Sequence, residues 1–301
     1  MTLTLEAIPP LDFVIDHPSD RSATTALLFP GAGGQTACDL NLVWAIAPDL
    51  AERAVVEVGA DPFKRAEFGT RFRQPAVYCA SIAAWMRLGR PQPRFVAGYS
   101  TGEFAALAVA GAFSVEEGLR LVTLRGRLLQ EAFDNAPPGG MIVVSGMSEH
   151  AVLALTRRHG LVIAGDNCPG EVALAGDSVA LWAAATDAVE QGGHCVRLEV
   201  PRTMHSTAVS AAAAEFETAL RDAHIREPRP GTFSCTAAAP FDDVRARLLE
   251  SLVQPIEWRS TLLALHAAGA RHFVDVGPSD WMAGLVRRTL PSAHIESALA
   301  A

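Results

Sequence analysis

The chain has 301 residues and is 50% hydrophobic, enough for a large core and two unequal domains. A net charge of −8 and a pI near 5.6 argue against nucleic acid or an anionic membrane as partner. No apolar run approaches the roughly 20 residues that a membrane span needs, and the N-terminus lacks a basic segment followed by an apolar one. Lys64 is the single lysine; arginine supplies the rest of the basic charge, a compositional bias rather than chemistry. The five cysteines (Cys38, Cys79, Cys168, Cys195 and Cys235) are scattered without C-x-x-C spacing, as expected of reduced thiols in a soluble cytoplasmic protein.

In chain order, residues 1–25 contain Pro9, Pro10 and Pro18 and read as an irregular arm. An apolar strand, Ala26 to Phe29, ends in the turn PGAGG. Helical stretches follow near 39–58, broken at Pro48, and near 74–88. A strand over 94–98 leads into a small-residue helix over 101–110. Ser114 and Glu117 form an S-x-x-E capping box that opens a long helix. After Pro137-Pro138-Gly139-Gly140 the pattern becomes β-α-β-β-α-β, with strands at MIVVSGM, 161–164, 171–175 and 195–200 and helices at 148–158 and 177–191. That order predicts a small ferredoxin-like α+β subdomain over 137–204, inserted into a large α/β-hydrolase-like domain with a parallel sheet built from 26–136 and 205–301.

The strand–turn–helix at VAGYSTGEF carries Gly98-Tyr99-Ser100-Thr101-Gly102, a G-x-S-x-G pentapeptide that often exposes a nucleophilic serine. By chance the pattern arises in roughly one chain in ten of this length, so it needs its context. A preceding apolar strand and a following helix N-terminus suit a developing oxyanion. Nine histidines compete to be the base that a serine nucleophile requires. Most lie in amphipathic segments; His205, in VPRTMHST, falls where the small subdomain returns to the large domain. A metal site is not expected, because H-E-x-x-H and clustered Cys/His sets are absent. Gly31-Ala32-Gly33-Gly34 lacks the third glycine of a dinucleotide loop, since Thr36 stands there, and the phosphate-loop G-K-[ST] is also missing.

LLFPGAGGQ, RQPAVYCASIAAW, VAGYSTGEFAALAVAGAFSVEEGLRLVTLRGRLLQEA, MHSTAV, QPIEWRSTL and FVDVGPSDWMAGLVRR occur in the order seen in malonyl-CoA:acyl-carrier-protein transacylases. From about Ala26 to Arg288 the chain resembles this family, which includes the acyltransferase domains of polyketide synthases. The resemblance implies a ping-pong acyl transfer. Ser100 falls on the nucleophile of G-H-S-x-G-E, His205 on the base, and Arg125 on the arginine that pairs with the free carboxylate of malonyl. It places the oxyanion hole on the backbone N–H groups of Thr101 and Ala32, and Gln74 near the active site. It assigns the carbonyl that orients His205 to the residue before the tryptophan of a P-V-Q-W motif, here Glu257, whose carboxylate is a second candidate.

The chain departs from the pattern at Tyr99, where histidine is usual, and at Gly165, where the first asparagine of A-N-x-N-x-P stands; Asn167 keeps the second. Arg202-Thr203-Met204 precedes His205, and the bulk of Met204 favours malonyl over larger α-branched units. The substrate pocket is therefore expected to include Gln74, Tyr99, Asn167 and Met204. No tightly bound cofactor is implied; a coenzyme A thioester is the donor and a phosphopantetheinylated acyl carrier protein the acceptor. Arg157, Arg158, Arg287 and Arg288 are candidate docking charges for an acidic carrier. Other readings of the same residues are transfer of a non-malonyl or carrier-bound acyl group, hydrolysis of carrier-bound thioesters, and a non-catalytic docking module.

Overall fold

A computed structural model describes residues 22–32, 37–198, 204–205, 209–277 and 280–298, with only the backbone at 37–41. Expectations for residues 1–21, for Gly33 and Gly34, and for Arg202 and Thr203 lie outside the described residues. The first part of the chain forms β1 (Thr25–Phe29), α1 (Ala37–Ile46), α2 (Pro48–Val58), the short α3 (Pro62–Arg65) and α4 (Thr70–Arg87). Then come β2 (Phe95–Gly98), α5 (Gly102–Val109) and α6 (Val115–Asp134). The expected break at Pro48 is present, with proline in the first turn of α2, where its missing N–H costs nothing. Helix α4 begins four residues before the expected start at 74 and carries Pro75 inside it.

The middle segment forms β3 (Gly139–Ser145), α7 (Glu149–His159), β4 (Val162–Cys168), β5 (Glu171–Asp177), α8 (Ser178–Glu190) and β6 (His194–Arg197). Its sheet is antiparallel in the order β4-β5-β3-β6, the ferredoxin-like arrangement. It packs α7 and α8 over a cluster of its own that includes Ile142, Val144, Leu155, Leu174 and Leu181. Strand β4 runs past its expected end at 164, because irregular pairing with β5 between Ile163 and Cys168 absorbs the polar Asp166 and Asn167.

The remaining elements are α9 (Ser210–Asp222), β7 (Thr232–Ser234), β8 (Ala239–Pro240), α10 (Val244–Val253), α11 (Trp258–Ala267), β9 (His272–Asp275), α12 (Trp281–Thr289) and β10 (His294–Ser297). The large sheet has the order β10-β9-β1-β2-β7-β8, parallel throughout except for β8. Its central strands are buried on both faces, which is why TALLF and FVAG read as unbroken apolar runs. The two sheets are stitched together at β4. The Asp166 N–H donates to the Ile256 carbonyl at 2.8 Å, and the Ile256 N–H donates to that of Ala164 at 3.0 Å. Arg259 adds contacts to Asp166 at 2.8 Å and to Glu149 at 2.7 Å. Among the described residues no helix is long and apolar enough to cross a membrane.

Candidate active site

Strand β2 ends at Gly98, and the chain reverses through Tyr99, Ser100 and Thr101 into α5. Ser100 has φ of 51°, a left-handed conformation that a serine adopts only when its surroundings impose it. The imposition is visible in the two glycines. A Cβ on Gly98 would collide with the backbone of Gly102, and one on Gly102 with the Phe29 carbonyl of β1. The turn is closed by the Gly102 N–H on the Tyr99 carbonyl at 2.9 Å and anchored by the Tyr99 N–H on that of Phe29 at 2.8 Å.

His205 lies across from this turn, with its Nε2 3.1 Å from Ser100 Oγ. It also has positive φ, 54°, and it and Ser100 are both buried. Its Nδ1 lies 2.8 Å from the backbone carbonyl of Ser251. A carbonyl only accepts, so Nδ1 carries the proton and Nε2 presents its lone pair to the serine hydroxyl. Burial, reinforced by the Arg125 charge and opposed by the Ser251 bond, lowers the imidazole pKa to about 3, so the ring is neutral at physiological pH.

The expectation that Glu257 orients His205 is corrected by this contact. The Glu257 carbonyl is occupied by the N–H of Thr261 at 2.8 Å and its hydroxyl at 2.7 Å, in the first turn of α11. Ser251 instead sits in the last turn of α10, where carbonyls lack intrahelical donors. The residue four positions on is Pro255, which has no N–H to offer.

Arg125 is 1% exposed, in the middle of the buried stripe Leu121, Val122, Leu128 and Leu129 of α6. Its neighbours Arg120 and Arg127 pair with Glu117 and Glu131 at the surface. The Glu117 carboxylate is thereby engaged, so only the Ser114 half of the expected capping box is made, at 3.1 Å. Arg125 Nη1 donates to Gln74 Oε1 at 2.6 Å and Thr101 Oγ1 at 3.3 Å, and Nη2 lies 3.5 Å from Ser100 Oγ. No carboxylate contacts the guanidinium among the described residues, and Nε has no hydrogen-bond partner. Burial pulls its pKa down to about 10, while the nearby charge of Glu103 opposes the shift, so it stays cationic near neutrality.

Ser100 and His205 open into a cavity of about 800 Å³ between the two sheets. Gly31, Ala32, Tyr99, Asn167, Met204 and Trp281 border it near the serine. Met141, Val143 and Ala173 from the small sheet and Phe133 from α6 make an apolar wall, with Arg73 and Arg197 among the remaining lining groups. Thus Ser100, His205, Arg125, Gln74 and Thr101 are brought together by hydrogen bonds, and Ala32, Tyr99, Asn167 and Met204 line the space beside them. A neutral imidazole on a strained serine, with a buried cation alongside, suits attack on an acyl group that carries an anionic end.

The acyl transferase domain family matches residues 65–300, taking in the nucleophile turn, His205 and Arg125. The chain belongs to that family. This acyltransferase domain is 35% identical over 94% of its length to a polyketide biosynthesis protein, ThaF, of Burkholderia thailandensis, but spans only 26% of that protein. It is 28% identical to a malonyl CoA-acyl carrier protein transacylase of Synechocystis, covering 91% of this chain and 96% of the relative. Among solved structures, a malonyl-CoA:acyl carrier protein transacylase from Xanthomonas oryzae superposes with a TM-score of 0.83 at 28% identity, covering 91% of this chain and 94% of that one.

Three residues of the acyltransferase site escaped the sequence reading. Ser251 carried a signal in Pro255. Glu103, directly after the pentapeptide, is fully buried and accepts the Cys235 N–H at 2.8 Å. Burial pushes its carboxyl up to about 7 against the pull of that bond and of the Arg125 charge. Cys235 in turn takes the Ser100 N–H on its sulfur at 3.4 Å, so α5 and the residue after β7 brace the Ser100 turn. Nothing in the spacing of Cys235 announces this, because the contact spans 135 residues. Of the four arginines considered for docking, Arg288 pairs with Glu171 at 2.6 Å and Arg158 with Asp187 at 3.1 Å; Arg157 and Arg287 are exposed.

Proposed function

We propose that this acyltransferase domain moves a malonyl-type group from coenzyme A to the phosphopantetheine thiol of an acyl carrier protein, in cytoplasmic fatty acid or polyketide biosynthesis. The observation that carries the reading is the pairing of Ser100 with a neutral His205 beside a buried Arg125 that no carboxylate of the described residues contacts. The names of the relatives supply the donor and acceptor classes. Residues 26–136 and 205–301 form the catalytic unit in this reading and 137–204 the inserted subdomain, which has a hydrophobic cluster of its own.

In the first half-reaction His205 Nε2 takes the Ser100 proton while Oγ attacks the thioester carbonyl. The oxyanion is received by the N–H groups of Thr101, at the N-terminal end of α5, and of Ala32, in the turn after β1. Collapse expels the coenzyme A thiolate, which takes the proton back from Nε2. In the second half the pantetheine thiol gives its proton to His205 and attacks the acyl-serine, and Ser100 leaves with that proton. Nδ1–H stays on the Ser251 carbonyl throughout. The donor carboxylate pairs with Arg125, with Gln74 and Thr101 holding the guanidinium in place. That pairing also offsets the charge that depresses the basicity of His205, so a dicarboxylate donor strengthens the base as it binds.

Intact mass after mixing with malonyl-, methylmalonyl- or acetyl-CoA, with and without holo carrier protein, tests the reading. A malonyl adduct that is absent in Ser100→Ala and moves to the carrier is the expected result. Loss of the adduct to free malonate with carrier present would instead indicate a thioesterase, and no adduct from any donor would indicate a docking module.

A further inference from the structure

Two positions noted separately in the sequence, Tyr99 and Gly165, meet beside the cavity, with Tyr99 in its lining and Gly165 packed against the phenol. The Tyr99 hydroxyl donates to Asn167 Oδ1 at 2.8 Å. It sits 3.0 Å from where a Cβ on Gly165 would stand, and Asn167 Oδ1 is 3.4 Å from the same point. Gly165 does not have positive φ, so the constraint at this position is space rather than backbone conformation. A Cβ at 165 presses on the phenol, which must give by a few tenths of an ångström. On its other sides the Tyr99 ring is gripped edge-on by Trp258, with centroids 5.5 Å apart, and by Trp281 at 5.0 Å.

The hydrogen bond continues outward. Asn167 Nδ2 donates to Glu171 Oε1 at 3.0 Å, and Glu171 Oε2 pairs with Arg288 of α12 at 2.6 Å. Asn167 therefore uses its carbonyl on Tyr99 and its amide on Glu171. The tyrosine is held at its tip by a hydrogen bond and packed by two tryptophan rings, and it immediately precedes Ser100. The other side chain lining the cavity next to His205 is Met204, unbranched and able to change rotamer.

We propose that Tyr99, seated in the notch left by Gly165, is the specificity-determining wall of the acyl pocket and selects unbranched malonyl over α-branched donors, with Met204 secondary. The inference rests on the acyl-transfer reading above. A wall held by a hydrogen bond and two aromatic contacts excludes a substituent that a freely rotating side chain admits, and the space of one methylene discriminates donors by roughly 10- to 200-fold.

The test measures kcat/KM for malonyl- and methylmalonyl-CoA, read as acyl-enzyme formation, with thermal unfolding reporting that each variant folds. Tyr99→Ala is expected to lower the malonyl-to-methylmalonyl ratio about tenfold or more, the low end of that range, and Met204→Ala to change it less. Gly165→Ala pushes on the phenol and is expected to lower malonyl turnover in the wild-type background. In a Tyr99→Phe background, which lacks the oxygen, most of that loss should disappear. Where Tyr99→Ala proves unfolded, the Gly165→Ala and Tyr99→Phe pair carries the test. A ratio that is unchanged in folded Tyr99→Ala, or Gly165→Ala and Tyr99→Phe effects that simply add, would overturn the proposal. Failure of the wild-type protein to acylate at Ser100 with any donor would instead overturn the functional reading, so the two failures are distinct.

Discussion

The six-stranded sheet delivers Ser100 from the carboxyl end of β2, where the chain reverses into a helix, whereas the four-stranded sheet delivers Met141, Val143 and Ala173 from the face of paired strands. The first setting produces a serine with positive φ at a helix N-terminus; the second produces an apolar surface. The polar groups beside Ser100 thus gather where a parallel strand ends, and an antiparallel face supplies shape. Strand β4 joins the two, since its edge bonds to Ile256 and its Asn167 bonds to Tyr99.

The sharpest way to break this contrast is on the catalytic side. Ser100→Ala should abolish the acyl adduct and lower transfer by about 10⁴-fold or more, the scale on which serine proteases lose activity without their nucleophile. An adduct that persists by intact mass would show that the wrong residue has been assigned. Arg125→Ala should come next, lowering malonyl kcat/KM by about 10²-fold or more while leaving acetyl transfer much less affected, because a charge-assisted bidentate pair is lost only for the dicarboxylate. Equal losses for both donors would mean that Arg125 supports the turn rather than the substrate.

On the small-sheet side the effects should be smaller. Val143→Ala is expected to change KM a few-fold with little change in kcat, the pattern of a wall that binds ground and transition states alike. A large fall in kcat would place that face in the chemistry and erase the contrast.

With its pKa lowered to about 3, His205 stays neutral as pH falls, so the acid limb of kcat/KM for His205 should lie well below 6.5. Neutralising Arg125 with a donor carboxylate raises the imidazole pKa in the complex, so the limb in kcat for malonyl should sit at higher pH than the limb for acetyl. Rapid-quench acylation across pH reads both; coincident limbs would remove Arg125 as the cause. The smallest effect expected is that of Glu257→Gln, which should leave the pH profile unchanged, because the imidazole is held by Ser251 rather than by this carboxyl.

Local sequence suffices for the order of elements, because period, proline breaks and caps act over a few residues. The break at Pro48, the Ser114 cap and the β-α-β-β-α-β run all follow from neighbours a few residues apart. It also determined which serine stands on a sharp turn, since the glycines that permit the reversal flank it. Arg125 was legible only through resemblance, although its spacing from Leu121, Val122, Leu128 and Leu129 already puts it on the buried face of α6. Beyond the hint that Pro255 gave for Ser251, only the folded chain shows that Ser251 rather than Glu257 holds His205, that Cys235 and Glu103 brace the Ser100 turn, and that Tyr99 fills the notch at Gly165. Each of these is a contact between segments distant in the chain, and the partner of a buried polar group depends on which acceptors the fold leaves free. Local periodicity does not contain that information; close packing and the satisfaction of buried hydrogen bonds do.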